Sequence, residues 1–158
     1  MKVVIQRSKN SSVKIDGKIN GEIKKGLVIF SCFTEDDTSE DIDYIVKKTL
    51  NLRIFDDENG VMNKSLIDVR GSILSISQFT LYGDASKGRR PSYINALGGD
   101  EALKLYQLFN DKLRESLKNK SETSRVEEGI FGAEMKVTFT NDGPVTIILE
   151  KEGEKNGK

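Results

Sequence analysis

The chain has 158 residues, 25 basic and 25 acidic side chains, no histidine and one cysteine. Its length suits a single domain with a real core, and a formal net charge of zero argues against coating nucleic acid through a general excess of positive charge. Without histidine a Ser-His-Asp hydrolase is excluded and a zinc site is disfavoured. No apolar run approaches the roughly 20 residues needed to cross a bilayer, and the N-terminal one is too short for a signal peptide, so a cytosolic protein is expected.

In chain order, Lys2 to Arg7 alternates as a strand. Ser12 to Ile15 and Lys18 to Ile23 flank the turn signal Asp16-Gly17 and predict a hairpin. The apolar run Leu27 to Phe33 reads as a central buried strand, in which Cys32 packs as a small hydrophobe. Thr38 and Ser39 offer helix N-caps, and Ile42, Ile45, Val46 and Leu50 follow at helical spacing. Leu52 to Phe55 predicts a short strand, and Asp56 to Gly60 an acidic turn ending in glycine.

Ser72 to Leu81 alternates as a strand with both faces covered at its start. The segment from Tyr82 to Gly99 is too long for a simple connector, and it carries Lys87, Arg89 and Arg90. From Asp100, apolar residues spaced by three and four through Leu117 predict a second amphipathic helix. Lys136 to Thr140 and Val145 to Glu150 read as strands around Asn141-Asp142-Gly143-Pro144. From Glu150 onward the sequence lacks apolar residues, so residues 151–158 are expected to form a flexible tail behind a domain of residues 1–150. The expected class is α/β, with mixed β-sheets and two main helices packed on one side.

Three segments hold candidate chemistry. Ser77, Gln78, Phe79 and Thr80 lie at the end of an apolar strand, where polar side chains either satisfy neighbouring backbone or flank amides free to meet a ligand. Gly143-Pro144 is either plain turn chemistry or an X-Pro bond able to adopt the cis form. Lys87, Arg89 and Arg90 suit phosphate oxygens and equally suit a solvated loop. The acids from Glu35 to Asp41 fit a helix N-terminus better than a metal site.

The stretches SQFTLYGD at Ser77 to Asp84, KGRRPS at Lys87 to Ser92, FGAEM at Phe131 to Met135 and NDGPVT at Asn141 to Thr146 together resemble the D-aminoacyl-tRNA deacylases of the bacterial and eukaryotic type. The likeness runs from Gln6-Arg7 to Ile148. It implies a layered α/β/β fold and a homodimer in which a cis Gly143-Pro144 from one subunit completes the partner's site. Ser77, Gln78, Phe79 and Thr80 would form the catalytic floor, and Arg7 would brace the Gly-Pro segment. Phe131, Ala133 and Met135 would line the pocket for the terminal adenosine.

The implied reaction is ester hydrolysis of D-aminoacyl-tRNA and of mischarged glycyl-tRNA. The implied partner is the 3′ end of aminoacyl-tRNA, with no cofactor, metal, DNA or membrane. With no base to activate Thr80, the substrate's own ribose 2′-hydroxyl is expected to assist, and L-aminoacyl groups to be rejected sterically.

Overall fold

The computed structural model describes residues 1–152. Its backbone is a five-stranded mixed sheet in which residues 126–128, 72–77, 18–32, 2–15 and 136–150 lie side by side in that order. Strand β1 (Lys2–Ile15) and strand β2 (Lys18–Cys32) form one long antiparallel hairpin. Its turn uses Asp16 and Gly17, both at positive φ, the backbone of a tight hairpin. The expected hairpin is present, but the first strand does not stop at Arg7. It continues as a single element whose register shifts absorb the polar stretch between Gln6 and Ser12.

Helix α1 (Ser39–Asn51) begins at Thr38, whose side chain accepts from the Asp41 amide while the Asp41 carboxylate accepts from the Thr38 backbone N–H. This reciprocal cap satisfies two of the amides that a helix start leaves unpaired. Ile42, Ile45, Val46 and Leu50 are all buried. The next expected strand is displaced. Leu52 caps the helix, and β3 (Phe55–Asp56) pairs with β4 (Met62–Lys64) as a separate two-stranded ribbon. The Asp57 carboxylate closes that ribbon's turn by accepting from the Asn59 and Val61 amides.

Strand β5 (Ser72–Ser77) lies parallel to β2, and the short β6 (Val126–Glu128) lies parallel to β5. Between them runs helix α2 (Gly99–Lys118). Both helices cover one face of the sheet, where Val3, Ile5, Leu27, Ile29 and Ile73 meet Ile42, Ile45, Phe109 and Leu113. Residues of opposite parity, Val28, Leu74 and Ile76, join Val13, Ile23, Val137 and Phe139 in a second cluster.

That grouping requires the far half of the hairpin to fold back over the sheet as a further β layer. The hairpin tip reaches β6, with Asn20 Nδ2 donating to the Glu128 carbonyl at 2.7 Å. Gly26 sits where β2 runs against the start of β5. A Cβ there would lie 1.7 Å from the Ser72 carbonyl oxygen, so only glycine fits. The α/β/β layering with helices on one side is as expected.

Strand β7 (Lys136–Glu150) corrects the expectation of two strands around a turn. The chain does not reverse at Asn141 to Pro144. Gln6 pairs with Thr146 and Ser8 with Asn141, so residues 142–145 bulge out opposite Arg7 within one continuous strand. At the C-terminal end, Lys151 N donates to Met1 O at 2.9 Å, and the Met1 ammonium donates to Lys151 O and the buried Asp37. Residues 153–158, on which most of the expected tail falls, lie outside the described residues.

Candidate active site

The expected strand from Ser72 to Leu81 ends early, and its ending builds the site. Gln78 N donates to Ser31 O at 2.7 Å as the last tie to β2. Gln78 then leaves the extended region, and Phe79–Tyr82 forms a single 3-10 turn. The first amides of such a turn have no acceptor within it. The Phe79 and Thr80 N–H groups therefore have no acceptor within the turn, and of these two residues only Phe79 lines the adjoining pocket.

The pocket beside this turn has a volume of about 460 Å³. Ser77, Gln78 and Phe79 form part of its wall, together with Phe131, Ala133 and Met135. The structure thus brings together two stretches more than 50 residues apart, while Thr80, expected beside Phe79 in the floor, is not among the lining residues. Phe79 is 57% exposed, and its ring meets Tyr93 edge to face at 5.0 Å between centroids. An exposed aromatic at a pocket mouth can stack a nucleobase.

Thr80 is exposed, and its Oγ1 accepts from Gln78 Nε2 at 2.6 Å. A carboxamide is no proton acceptor of useful basicity, so this partner orients the hydroxyl without activating it. Cys32 also lines the pocket. Burial pushes its thiol up to about 11, which keeps it neutral and a poor nucleophile. Its Sγ donates to the Phe79 carbonyl at 3.3 Å, so it helps to hold the 3-10 turn.

Residues not singled out from the sequence complete the wall. Ser31 comes from the end of β2, Tyr93 from the long loop, and Gly98, Gly99 and Ala102 from the start of α2. The available signal was Gly98-Gly99 just ahead of a helical pattern. Leu97 N donates to Phe33 O at 2.8 Å and draws that loop end against the sheet. Behind the wall, Tyr106 Oη donates to Ser75 O at 2.8 Å and Ser75 Oγ to Asn110 Oδ1 at 2.6 Å. The Gly129 amide donates to the same Ser75 carbonyl at 3.1 Å, which ties the approach to Phe131 onto β5.

Gly143 and Pro144 do not line this pocket. Their peptide bond is cis, and both residues are exposed on the bulge of β7. Arg7, largely buried, braces that bulge by donating Nε–H to Asp142 O and Nη1–H to Ile54 O, each at 2.9 Å. A Cβ on Gly143 would lie 2.9 Å from Arg7 Nη2, and Gly143 has φ +129°, so the position demands glycine on two counts. Lys87, Arg89 and Arg90 lie in an exposed loop whose ends are joined by the Asp84 and Ser92 backbones at 2.8 Å in both directions. They stand outside the pocket wall.

The family model described as D-Tyr-tRNA(Tyr) deacylase matches residues 4–150. A D-aminoacyl-tRNA deacylase of Clostridium novyi is 53% identical over 154 residues, covering 98% of this chain and 99% of that protein. One from Bacillus cytotoxicus is 52% identical, covering 96% of this chain and all of that protein. Among solved structures, a c-Myc DNA Unwinding Element Binding Protein superposes with a TM-score of 0.88 at 36% identity, covering 97% of this chain and 100% of that one. A probable eukaryotic D-amino acid tRNA deacylase gives 0.78 at 20% identity, covering 94% and 97%, a likeness of fold.

Proposed function

Since this chain belongs to the D-Tyr-tRNA(Tyr) deacylase family, we propose that it hydrolyses the ester joining a D-amino acid, or mischarged glycine, to the 3′ end of tRNA. The observation that carries this reading is the pocket at the end of β5. There, Ser77, Gln78 and the exposed ring of Phe79 meet the Phe131 to Met135 segment in a chain that has no histidine.

The terminal adenosine occupies the part of the pocket lined by Phe131, Ala133 and Met135, with Phe79 against the base. The ester carbonyl faces the Phe79 and Thr80 amides, which stabilise the oxyanion as water attacks. The ribose 2′-hydroxyl of the substrate, adjacent to the ester, assists in place of an enzyme base. Ser77 and Gln78 fix the strand end, and the Thr80 side chain orients rather than attacks.

Chirality is read by exclusion. Gly143 and Pro144 are exposed and lie outside their own chain's pocket, a placement that suits contact with a second copy. In a homodimer this bulge, braced by Arg7, enters the partner's site and collides with an L-side chain while admitting hydrogen or a D-side chain. Lys87, Arg89 and Arg90 contact phosphates of the incoming tRNA. The enzyme acts in the cytoplasm, where charged tRNA is found.

The test is release of D-tyrosine and glycine from charged tRNA, with L-tyrosyl-tRNA as control. Cleavage of the first two and sparing of the third is the expected result. Equal cleavage of both enantiomers would remove the proofreading function, and no cleavage would remove the activity.

A further inference from the structure

At the opposite end of β5 from the pocket lies a second depression, of about 610 Å³. Its rim carries Lys24, Lys25, Arg70 and Arg125 against one carboxylate, Glu22. All four cations are exposed, and among the described residues none has a carboxylate within salt-bridge distance. In a chain of zero net charge this is a local concentration of unneutralised positive charge, the electrostatic footprint of an anionic ligand.

Rigid elements present these cations. Lys24 and Lys25 stand on β2. Arg125 has its amide on Ser72 Oγ at 3.0 Å and its carbonyl on Ile73 N at 2.8 Å. Arg70 ends a helical turn in which Val69 N donates to Ser65 O, Arg70 N to Ile67 O and Gly71 N to Leu66 O. It does so at φ +52°, a left-handed position that glycine or asparagine fills at lower cost. Backbone preference gives no reason for arginine there, whereas its side chain adds a guanidinium to the depression.

We propose that this cationic depression binds the phosphodiester backbone of the substrate tRNA, away from the reacting end. The inference rests on the deacylase reading for the identity of the polyanion. The six residues of β5 separate the two sites by roughly 17 Å at ~3.3 Å per residue. That is too far for the terminal nucleoside, so any phosphates met at the depression belong to nucleotides further along the tRNA.

The experiment compares the wild type with a Lys24→Ala, Arg70→Asn, Arg125→Ala variant on D-tyrosyl-tRNA and on 3′-O-D-tyrosyl-adenosine, which has no phosphate. KM for the charged tRNA should rise about tenfold or more, and the salt dependence of binding uncharged tRNA should become shallower by about 2 to 3 in log-log slope. Cleavage of the adenosine ester should not change. Arg70→Asn alone should leave the melting temperature unchanged or higher yet weaken tRNA binding, and Arg70→Lys should restore the binding.

An unchanged KM and salt slope in the triple variant would overturn the assignment. So would loss of inorganic pyrophosphate binding alone, which would mark a site for a small free anion. If the wild type cleaves neither ester, the deacylase reading fails, while the salt slope for uncharged tRNA still decides whether the depression binds RNA.

Discussion

Arg7 donates its Nε–H to the carbonyl oxygen of Asp142 at 2.9 Å, across a break in the pairing of β1 with β7. The same guanidinium reaches Ile54 O through Nη1, so one planar fork joins the Gly-Pro bulge to the segment after α1. Lysine offers charge without that fork. Arg7→Lys should lose about 2–4 kcal/mol of stability, since two charge-assisted bonds are broken in a largely buried setting. Thermal or urea unfolding measures the loss. D-tyrosyl-tRNA cleavage should fall further than the folded fraction does, and a melting curve matching the wild type would show that the brace carries no energy.

How the Gly-Pro segment would sit was not legible in the sequence. Asn141-Asp142-Gly143 carries ordinary turn chemistry, and only the pairing of Gln6 with Thr146 and Ser8 with Asn141 makes it a bulge within one strand. The end of β5 misled for a similar reason. Alternation persists through Phe79 and Leu81, yet the backbone leaves the strand at Gln78 because β2 ends at Cys32 and offers no further ladder partner. Helix α1 was legible from its Thr38 cap and both helices from their 3.6-residue spacing, because these are local properties. The fold-back of the hairpin over Leu74 and Ile76, and the Ser31 and Tyr93 parts of the pocket wall, depend on contacts between segments distant in sequence.

Thr80 should prove dispensable as a nucleophile, because its hydroxyl has only the Gln78 amide beside it. Thr80→Ala should keep deacylation within about tenfold of the wild type. A tRNA ending in 2′-deoxyadenosine, with the amino acid on the 3′ oxygen, should be cleaved far more slowly. Normal cleavage of the deoxy substrate together with an inactive Thr80→Ala would make Thr80 the nucleophile.

Cys32 gives the chain an alkaline liability. Burial disfavours the thiolate and pushes this thiol up to about 11 in the folded protein, from an ordinary value of 9.0 when unfolded. Below both values the thiol is neutral in each state and contributes nothing. As pH rises from about 9 toward 11 only the unfolded state gives up its proton, so stability declines, by up to roughly 2–3 kcal/mol. Urea unfolding at pH 8 and pH 10.5 should show this decline, smaller in Cys32→Ala. Alkylation of the folded protein by iodoacetamide at pH 8 should be slow, and rapid alkylation would contradict a buried neutral thiol.

Neutralising Lys87, Arg89 and Arg90 together should weaken tRNA binding and lower its salt slope by about 2 to 3, because each phosphate contact given up releases fewer counterions. The preference for D- over L-aminoacyl-tRNA should not change, since the loop stands outside the pocket wall. Filter binding of uncharged tRNA across a salt series measures this directly. An unchanged slope would return the loop to solvated surface.

Subunit complementation tests the shared site. Gly143→Ala places a Cβ 2.9 Å from Arg7 Nη2 at φ +129°, so the bulge must shift and its contact with a neighbour's pocket should be lost. Phe79→Ala leaves the bulge intact and removes the exposed ring from the pocket mouth. Each variant alone should be nearly inactive, for a different reason. If the bulge of one subunit completes the other's pocket, a mixed dimer joins a normal Phe79 pocket to a normal Gly143 bulge at one of its two sites. Random exchange makes about half the dimers mixed, so about a quarter of wild-type activity should return. Tagged copies purified together establish that exchange has occurred. Mixed dimers that form and stay folded without regaining activity would show that each chain completes its own site, and the exposed Gly143-Pro144 bulge would then need another role.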